Sequence, residues 1–430
     1  MSQQKRNQLA QQVLQHLPIR SVILLLVIAI GLSLTTAIGI PTSQANSLQA
    51  ESGSLILSWG VDGLVHIWDA ATGEEKFTMQ HSANVFGARW NHDSSLILSW
   101  SDDQTACVWD TSTGELKFAL NHQAAIRNAV WNQAETQILT ISVDGIVNVW
   151  DAATGALLFT PVASLPTNIG WNEPGVTWNE AETQILSWES ELGGEEGSLQ
   201  IWDVASHTES LSLPNIEAWG AAWNSDASLL VVWGGKPQIV DSTTGEQKVS
   251  FGRKAWGGAA WSQDDSKILA WTWAEGTLGI WDVATGEALF TMRHGSRDTI
   301  ITGANWNADE SQVLSWGTDG SARVWDATTG EAKFDLAHGR IVTGATWNQN
   351  ETLILSWGND GTARVWDAAT GEQKLTLTHD GKVKGAAWNA DESLIISWSE
   401  DNTARIWDAA TGEQKLVLTH GSWVNGAVWN

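Results

Sequence analysis

Histidine, a hydroxyl residue and aspartate recur together along this 430-residue chain. His81 is followed by Ser99 and Asp103, His122 by Thr140 and Asp144, and His294 by Ser315 and Asp319. His338, Ser356 and Asp360 come next, then His379, Ser397 and Asp401. Such a trio could do nucleophilic catalysis, with the hydroxyl as nucleophile, His as base and Asp as its orienter. A catalytic site needs one oriented nucleophile in a cleft, not a periodic copy. A sixth set is split, since Ser58 and Asp62 have no His before them and His420 has nothing after it. The repetition favours a structural network over an active site.

Other chemistry is sparse. The chain has 49 Asp+Glu against 23 Lys+Arg, a formal net charge of −26. That sign disfavours a nucleic-acid surface, because phosphate binding needs clustered Lys and Arg. Acids gather in Asn-Ala-Asp-Glu-Ser turns, in Thr-Gly-Glu turns and in the run from Glu189 to Glu196. None matches a calcium loop, and they read as solvated turn residues. A single cysteine excludes an intrachain disulfide and a four-thiolate zinc site. Cys107 itself reads as a small core residue. No metal and no cofactor are expected, and the chain is expected not to be an enzyme.

The elements that position these residues are one repeated unit. Trp-Asp pairs fall at Trp68, Trp109, Trp150, Trp202, Trp281, Trp325, Trp366 and Trp407, most of them 41 residues apart. A degenerate copy, Ile239-Val240-Asp241, stands between Trp202 and Trp281. A fixed period of this length marks a repeated supersecondary unit. Residues 382–420 read as four short strands: VKGAAW, LIISWS, TARIWD and QKLVLT. Asp-Gly pairs such as Asp319-Gly320 and Asp360-Gly361 are two-residue hairpin signals between the second and third strands. After each Trp-Asp a Thr-Gly-Glu turn lets Gly take positive φ while Asp bonds the turn backbone.

This pattern resembles the WD-repeat (WD40-type) β-propeller family over essentially all of residues 51–430. The resemblance implies an all-β closed propeller of four-stranded blades around a channel. It also implies a buried chain of hydrogen bonds in each blade, from indole through hydroxyl and imidazole to carboxylate. The sets are then Trp109 with His81, Trp150 with His122, Trp325 with His294, Trp366 with His338, and Trp407 with His379. Trp68, Ser58 and Asp62 would complete theirs with His420.

The ends support this grouping. The repeat starts on a second strand, Leu55–Trp59, and finishes on an orphan first strand, Trp423–Trp429. Pairing 423–430 with 54–59 closes the ring and removes two free edges. Counting units predicts nine blades. Residues 54–430 form the propeller, 46–53 a linker, and 1–45 a signal peptide or uncleaved signal anchor. The segment 21–40 carries no charge and is long enough to span a bilayer as one hydrophobic helix. Lys5, Arg6 and Arg20 precede it, which keeps that flank cytoplasmic and the propeller outside. The chain thus reads as a bacterial-type exported or membrane-anchored member, touching membrane only through 21–40 if uncleaved.

There are 30 Trp and no Tyr. Most Trp fall in three rings, on the first, second and third strands. The second-strand ring (Trp59, Trp100, Trp188, Trp316, Trp357, Trp398) stands where the family has Gly, and first strands end Ala-x-Trp-Asn. A volume exchange is expected, with a Val lost from the core and a Trp gained on the adjacent strand. Residues 163–290 depart most from the pattern, with an insertion at Asn172–Trp178 and an acidic hairpin at Glu189–Gly197. Trp171, Trp219, Trp256, Trp273 and Trp423 lie outside the rings. Trp219 and Trp423 start first strands beside the channel mouth, near Arg297, Arg340, Lys382 and Lys384. Aromatic and Arg residues are typical binding hot spots. The expected function is a non-catalytic protein-interaction scaffold, its partner unknown. The alternative is a Trp-rich glycan-binding propeller.

Overall fold

The computed structural model describes residues 54–162, 175–190, 197–251, 256–272 and 275–430. The expected signal segment 1–45, its helix and the linker 46–53 lie outside the described residues. Among the described residues no helix is long and apolar enough to cross a membrane. The described residues are all-β: nine antiparallel four-stranded sheets follow one another as the blades of a propeller. Blade one contains strands Leu55–Gly60, Leu64–Asp69 and Glu75–Gln80, and takes its innermost strand, Val424–Trp429, from the other end of the chain. Blades two to nine span residues 85–121, 126–162, 175–214, 220–250, 256–293, 301–337, 342–378 and 383–419.

Closure is antiparallel, with Ile56 opposite Trp429, Ser58 opposite Ala427 and Gly60 opposite Val424. The Asn430 side chain accepts from the Leu55 amide at 2.8 Å. In blade two Asn91 makes the same bond to Leu96, across an unbroken turn. The seam thus reproduces a turn without a covalent link.

Strand alternation decides what each residue does. In the second strand Leu55–Gly60, Ser58 and Trp59 are both buried but point to opposite faces. The hydroxyl faces the hydrogen-bond chain. The indole covers the first strand of its own blade and reaches the next one, where Trp59 Nε1–H donates to the Phe86 carbonyl at 3.2 Å. Trp100 makes the same bond to the Arg127 carbonyl at 3.0 Å.

Opposite each of these indoles stands a glycine of the first strand. Gly87 faces Trp100, Gly344 faces Trp357, Gly385 faces Trp398 and Gly426 faces Trp59. A Cβ on any of these four would stand 1.9–2.2 Å from an indole carbon. Blades four to seven repeat the pairing. Blade three has neither member: Asn128 faces Ile141. The expected exchange of Val for Trp is corrected here. The indole occupies the space of a side chain missing directly across the ladder.

A second regularity shapes the channel. In seven blades the first strand carries a bulge one residue before that position, as at Phe86, Lys384 and Asn425. A bulge frees its residue from the ladder and turns it aside. Here the turned side chains reach the next blade: Thr302 donates to the Val342 carbonyl and Lys384 to Asn425 Oδ1 at 3.0 Å. First strands of successive blades lie against one another, so they form the inner wall.

Blade four needs one correction. Gly175–Trp178 is its first strand, not part of an insertion. The extra residues precede Gly175, outside the described residues, as does the tip of the acidic hairpin between Ser190 and Gly197.

Candidate functional site

The imidazoles of His81, His122, His294, His338, His379 and His420 are all buried. In blade two, His81 Nε2 lies 2.7 Å from Ser99 Oγ and Nδ1 lies 3.0 Å from Asp103. The same hydroxyl accepts from Trp109 Nε1–H at 2.8 Å. Blade eight joins Trp366, Ser356, His338 and Asp360 in the same order. Blade nine does so with Trp407, Ser397, His379 and Asp401. Each hydroxyl is held from two sides and fully buried, so these polar atoms are satisfied inside the blade.

Three blades depart from the expected chain. In blade three Trp150 and His122 meet on Thr140, but His122 Nδ1 bonds Ser142 Oγ at 3.0 Å, and Ser142 then reaches Asp144. In blade seven Trp325 bonds Ser315, yet His294 Nε2 has no hydrogen-bond partner. There Arg323 has moved in, 2.6 Å from His294 Nδ1 and 2.7 Å from Asp319. In blade one Ser58 lies 2.8 Å from His420 Nε2 and accepts from Trp68 at 2.7 Å, while Asp62 stands off at 3.6 Å.

Electrostatics follow from burial. Burial holds His81, His338, His379 and His420 below the ordinary imidazole value, with the neighbouring Asp opposing in each case. Burial takes His122 down to about 4. These rings are neutral when folded and bind a proton more readily when unfolded. The stability they contribute is complete above about pH 6.5 and is lost as pH falls below that value. Asp103, Asp360 and Asp401 lie below their usual range, held by bonds from His and Thr against the desolvation that opposes them. Their contribution has the same sign and is lost only below about pH 4. Thermal melts should therefore be flat from about pH 8 to 7 and fall from about pH 6.5 downward. His122→Gln should reduce that slope. A melting temperature constant between about pH 7 and 5 would contradict this account.

The candidate partner residues do not form one patch of equals. Trp423 is exposed, at 48 %, and so is Val61, at 40 %. Their loops touch, the Val61 amide donating to the Trp423 carbonyl at 3.0 Å. Lys382, at the matching position of blade nine, is exposed and pairs with Glu400 at 3.2 Å. Arg297 and Arg340 are exposed. Lys384 is half-buried on the inner wall. Trp219 is half-buried too, packed with Trp233 and Trp256, so it is largely core and not a free rim residue. Trp256 is fully buried. Trp171 and Trp273 lie outside the described residues.

The acidic turns are also corrected. Glu351 of blade eight accepts from the Ala308 amide and from Asn307 Nδ2 of blade seven. Glu392 does the same to Gln349 and Asn348, Glu135 to His92 and Asn91, and Glu182 to Gln133 and Asn132. Glu310 and Asp265 latch two further joints. Each acid sits at positive φ, 53–61°, a conformation costly for a side chain with a Cβ. The turn itself sets this φ, since Ser94 and Ala227 adopt 58° at the same position without a carboxylate.

One cluster was invisible to spacing. Asp62, His66 and His420 bring their ligand atoms within 4.8 Å of one another. His66 has no counterpart among the repeated residues. Its place, two before the Trp, is held by Cys107 in blade two and by arginine in blades seven to nine. Burial pushes the Cys107 thiol up to about 11, so it is protonated and inert.

Nine four-stranded blades make the fold a β-propeller, and blades two, eight and nine carry the full chain of Trp, hydroxyl, His and Asp that the WD-repeat resemblance implies. A sequence profile described as WD domain, G-beta repeat matches residues 73–110, 331–367 and 371–408. Among solved structures, the chain is similar to the computationally designed Ika8 protein, with TM-score 0.53 and 22% identity over 84% of this chain and 94% of that one. It is also similar to the C-terminal WD40 domain of Sif2, with TM-score 0.53 and 16% identity over 86% and 93%. Both likenesses concern the fold alone. No curated protein matches the sequence.

Proposed function

We propose that the propeller is a non-catalytic scaffold that binds a protein partner on the face carrying Trp423, outside the cytoplasm. The observation behind this reading is the exposure of Trp423 beside Val61, with cationic Lys382, Arg340 and Arg297 also exposed. Among the described residues Trp423 is the one exposed tryptophan. An exposed indole with an apolar neighbour and basic residues suits a protein hot spot. The glycan-binding alternative calls for several solvent-facing indoles, and the second- and third-strand rings are largely buried. The location rests on the charge and hydropathy of residues 1–45.

The test is a pull-down from envelope extract with the full chain as bait. One protein retained in near-stoichiometric amount, and released by Trp423→Ala, supports the reading. Retention on cell-wall polysaccharide with no protein partner would replace it with the glycan-binding one. The Trp423→Ala chain should melt like the parent, because about half of that side chain is already in solvent.

A further inference from the structure

We infer that blade one holds a divalent transition-metal ion of the zinc class between Asp62, His66 and His420. The two imidazoles are each 5 % exposed. Each spends one ring nitrogen on a neighbour. His420 Nε2 bonds Ser58 Oγ, and His66 Nδ1 lies 2.8 Å from Glu75. The other nitrogens, His420 Nδ1 and His66 Nε2, are buried and have no hydrogen-bond partner. A buried ring nitrogen left unpaired is costly, so two in one cluster call for a ligand. The rings meet edge to face, their centroids 4.5 Å apart.

The partners on the far sides set the tautomers. A carboxylate behind a histidine fixes its N–H and directs the other lone pair forward, as in metal-bound histidines. Glu75 does this to His66, and the Ser58 hydroxyl can do it to His420. Asp62 Oδ2 lies 3.6 Å from His420 Nδ1. The corresponding separation is 3.0 Å in blade two, 3.3 Å in blade seven, 3.2 Å in blade eight and 2.9 Å in blade nine. A gap of 3.6 Å is long for a hydrogen bond, but it fits the edge of a tetrahedron built on bonds of about 2.0–2.2 Å.

The other blades show that this position accepts a cation. Arg323, Arg364 and Arg405 replace His66 there, and each guanidinium lies 2.7–3.1 Å from its Asp. In blade seven Arg323 contacts Asp319 and His294 Nδ1 together. Blade one has the anion and the imidazole but a second imidazole in place of the cation. Gly60 keeps one side open, since a Cβ there would stand 2.9 Å from Asp62 Oδ1 and 3.2 Å from His420 Nδ1. Two imidazoles and one carboxylate suit zinc or cobalt, whereas calcium and magnesium prefer oxygen alone. His420 lies just before the closing strand, and Asp62 and His66 lie in the first hairpin. The ion would therefore join the two ends of the chain.

The test is titration of the metal-stripped full chain with Co²⁺, followed by displacement with Zn²⁺. One equivalent per chain, with the visible absorption of tetrahedral cobalt and a higher melting temperature, is the expected result. His66→Arg copies blades eight and nine and should fold while losing the cobalt spectrum. His66→Asn, the blade-three residue at this place, provides the same reading if the arginine variant fails to fold. Glu75→Gln should weaken binding about 10- to 100-fold. No stoichiometric cobalt uptake by the parent, or uptake equal to the parent in either His66 variant, would overturn the inference.

Discussion

Gly344→Val is expected to destabilise the ring by about 1–3 kcal/mol, and Trp357→Ala by about 3–5 kcal/mol. The glycine variant overpacks. Its Cβ would sit 2.2 Å from the Trp357 ring, and an indole fixed between two blades cannot swing away. The tryptophan variant leaves a cavity, because Trp357 is 1 % exposed and neighbouring backbone cannot collapse without opening the blade interface. The two positions are coupled, so the combination matters more than either change. Gly344→Asn with Trp357→Ile reproduces the native Asn128–Ile141 pair of blade three. That double variant should recover most of the loss seen in Gly344→Asn alone. Denaturant titrations of the four proteins measure the coupling, and additive losses would contradict a size exchange across the ladder.

Deleting residues 421–430 is expected to abolish the closed monomer. The deletion removes Val424, Ala427 and Val428, all buried, and strips the second strand Leu55–Gly60 of its inner neighbour. Fully burying one such Val is worth about 1.5–3 kcal/mol. Two of them, together with a strand's ladder bonds, approach the about 5–15 kcal/mol that a folded protein has in total. The exposed edge then pairs with another chain or the blade unravels. Light scattering should show oligomers or a broad, low melt. A synthetic peptide of residues 421–430 should restore the monomer by adding its strand in trans. A truncated chain that melts with the parent would show that closure adds nothing.

The sequence carried the repeat and its closure because nine copies share one pattern. The Trp-Asp period set the third strands, and the incomplete first and last units forced the seam. What escaped were contacts between units. The Trp357 ring was legible, but its partner Gly344 needed the cross-strand register. The Asn-x-x-Glu spacing of Asn348–Glu351 and Asn389–Glu392 was in plain view. It looked like solvated turn chemistry because the acid acts on the preceding blade and not on its own turn. Blade four offered two Trp-Asn pairs, at Trp171 and Trp178, and only the strand pairing shows that Trp178 ends the first strand. No other blade carries histidine at the place of His66, and its approach to His420 exists only once the ring is closed.

The carboxylate latches run in one direction, each blade reaching back to the one before. Two joints between described residues lack one, because Ser94 and Ala227 stand where the acid would be. The hoop is therefore not nine equal staves. Blades two to four are clasped into one stiff arc and blades five to nine into another. Blade one, assembled from both ends of the chain, is the keystone set between them. A force that widens the channel should open first the two described joints without a latch, between blades one and two and between blades four and five.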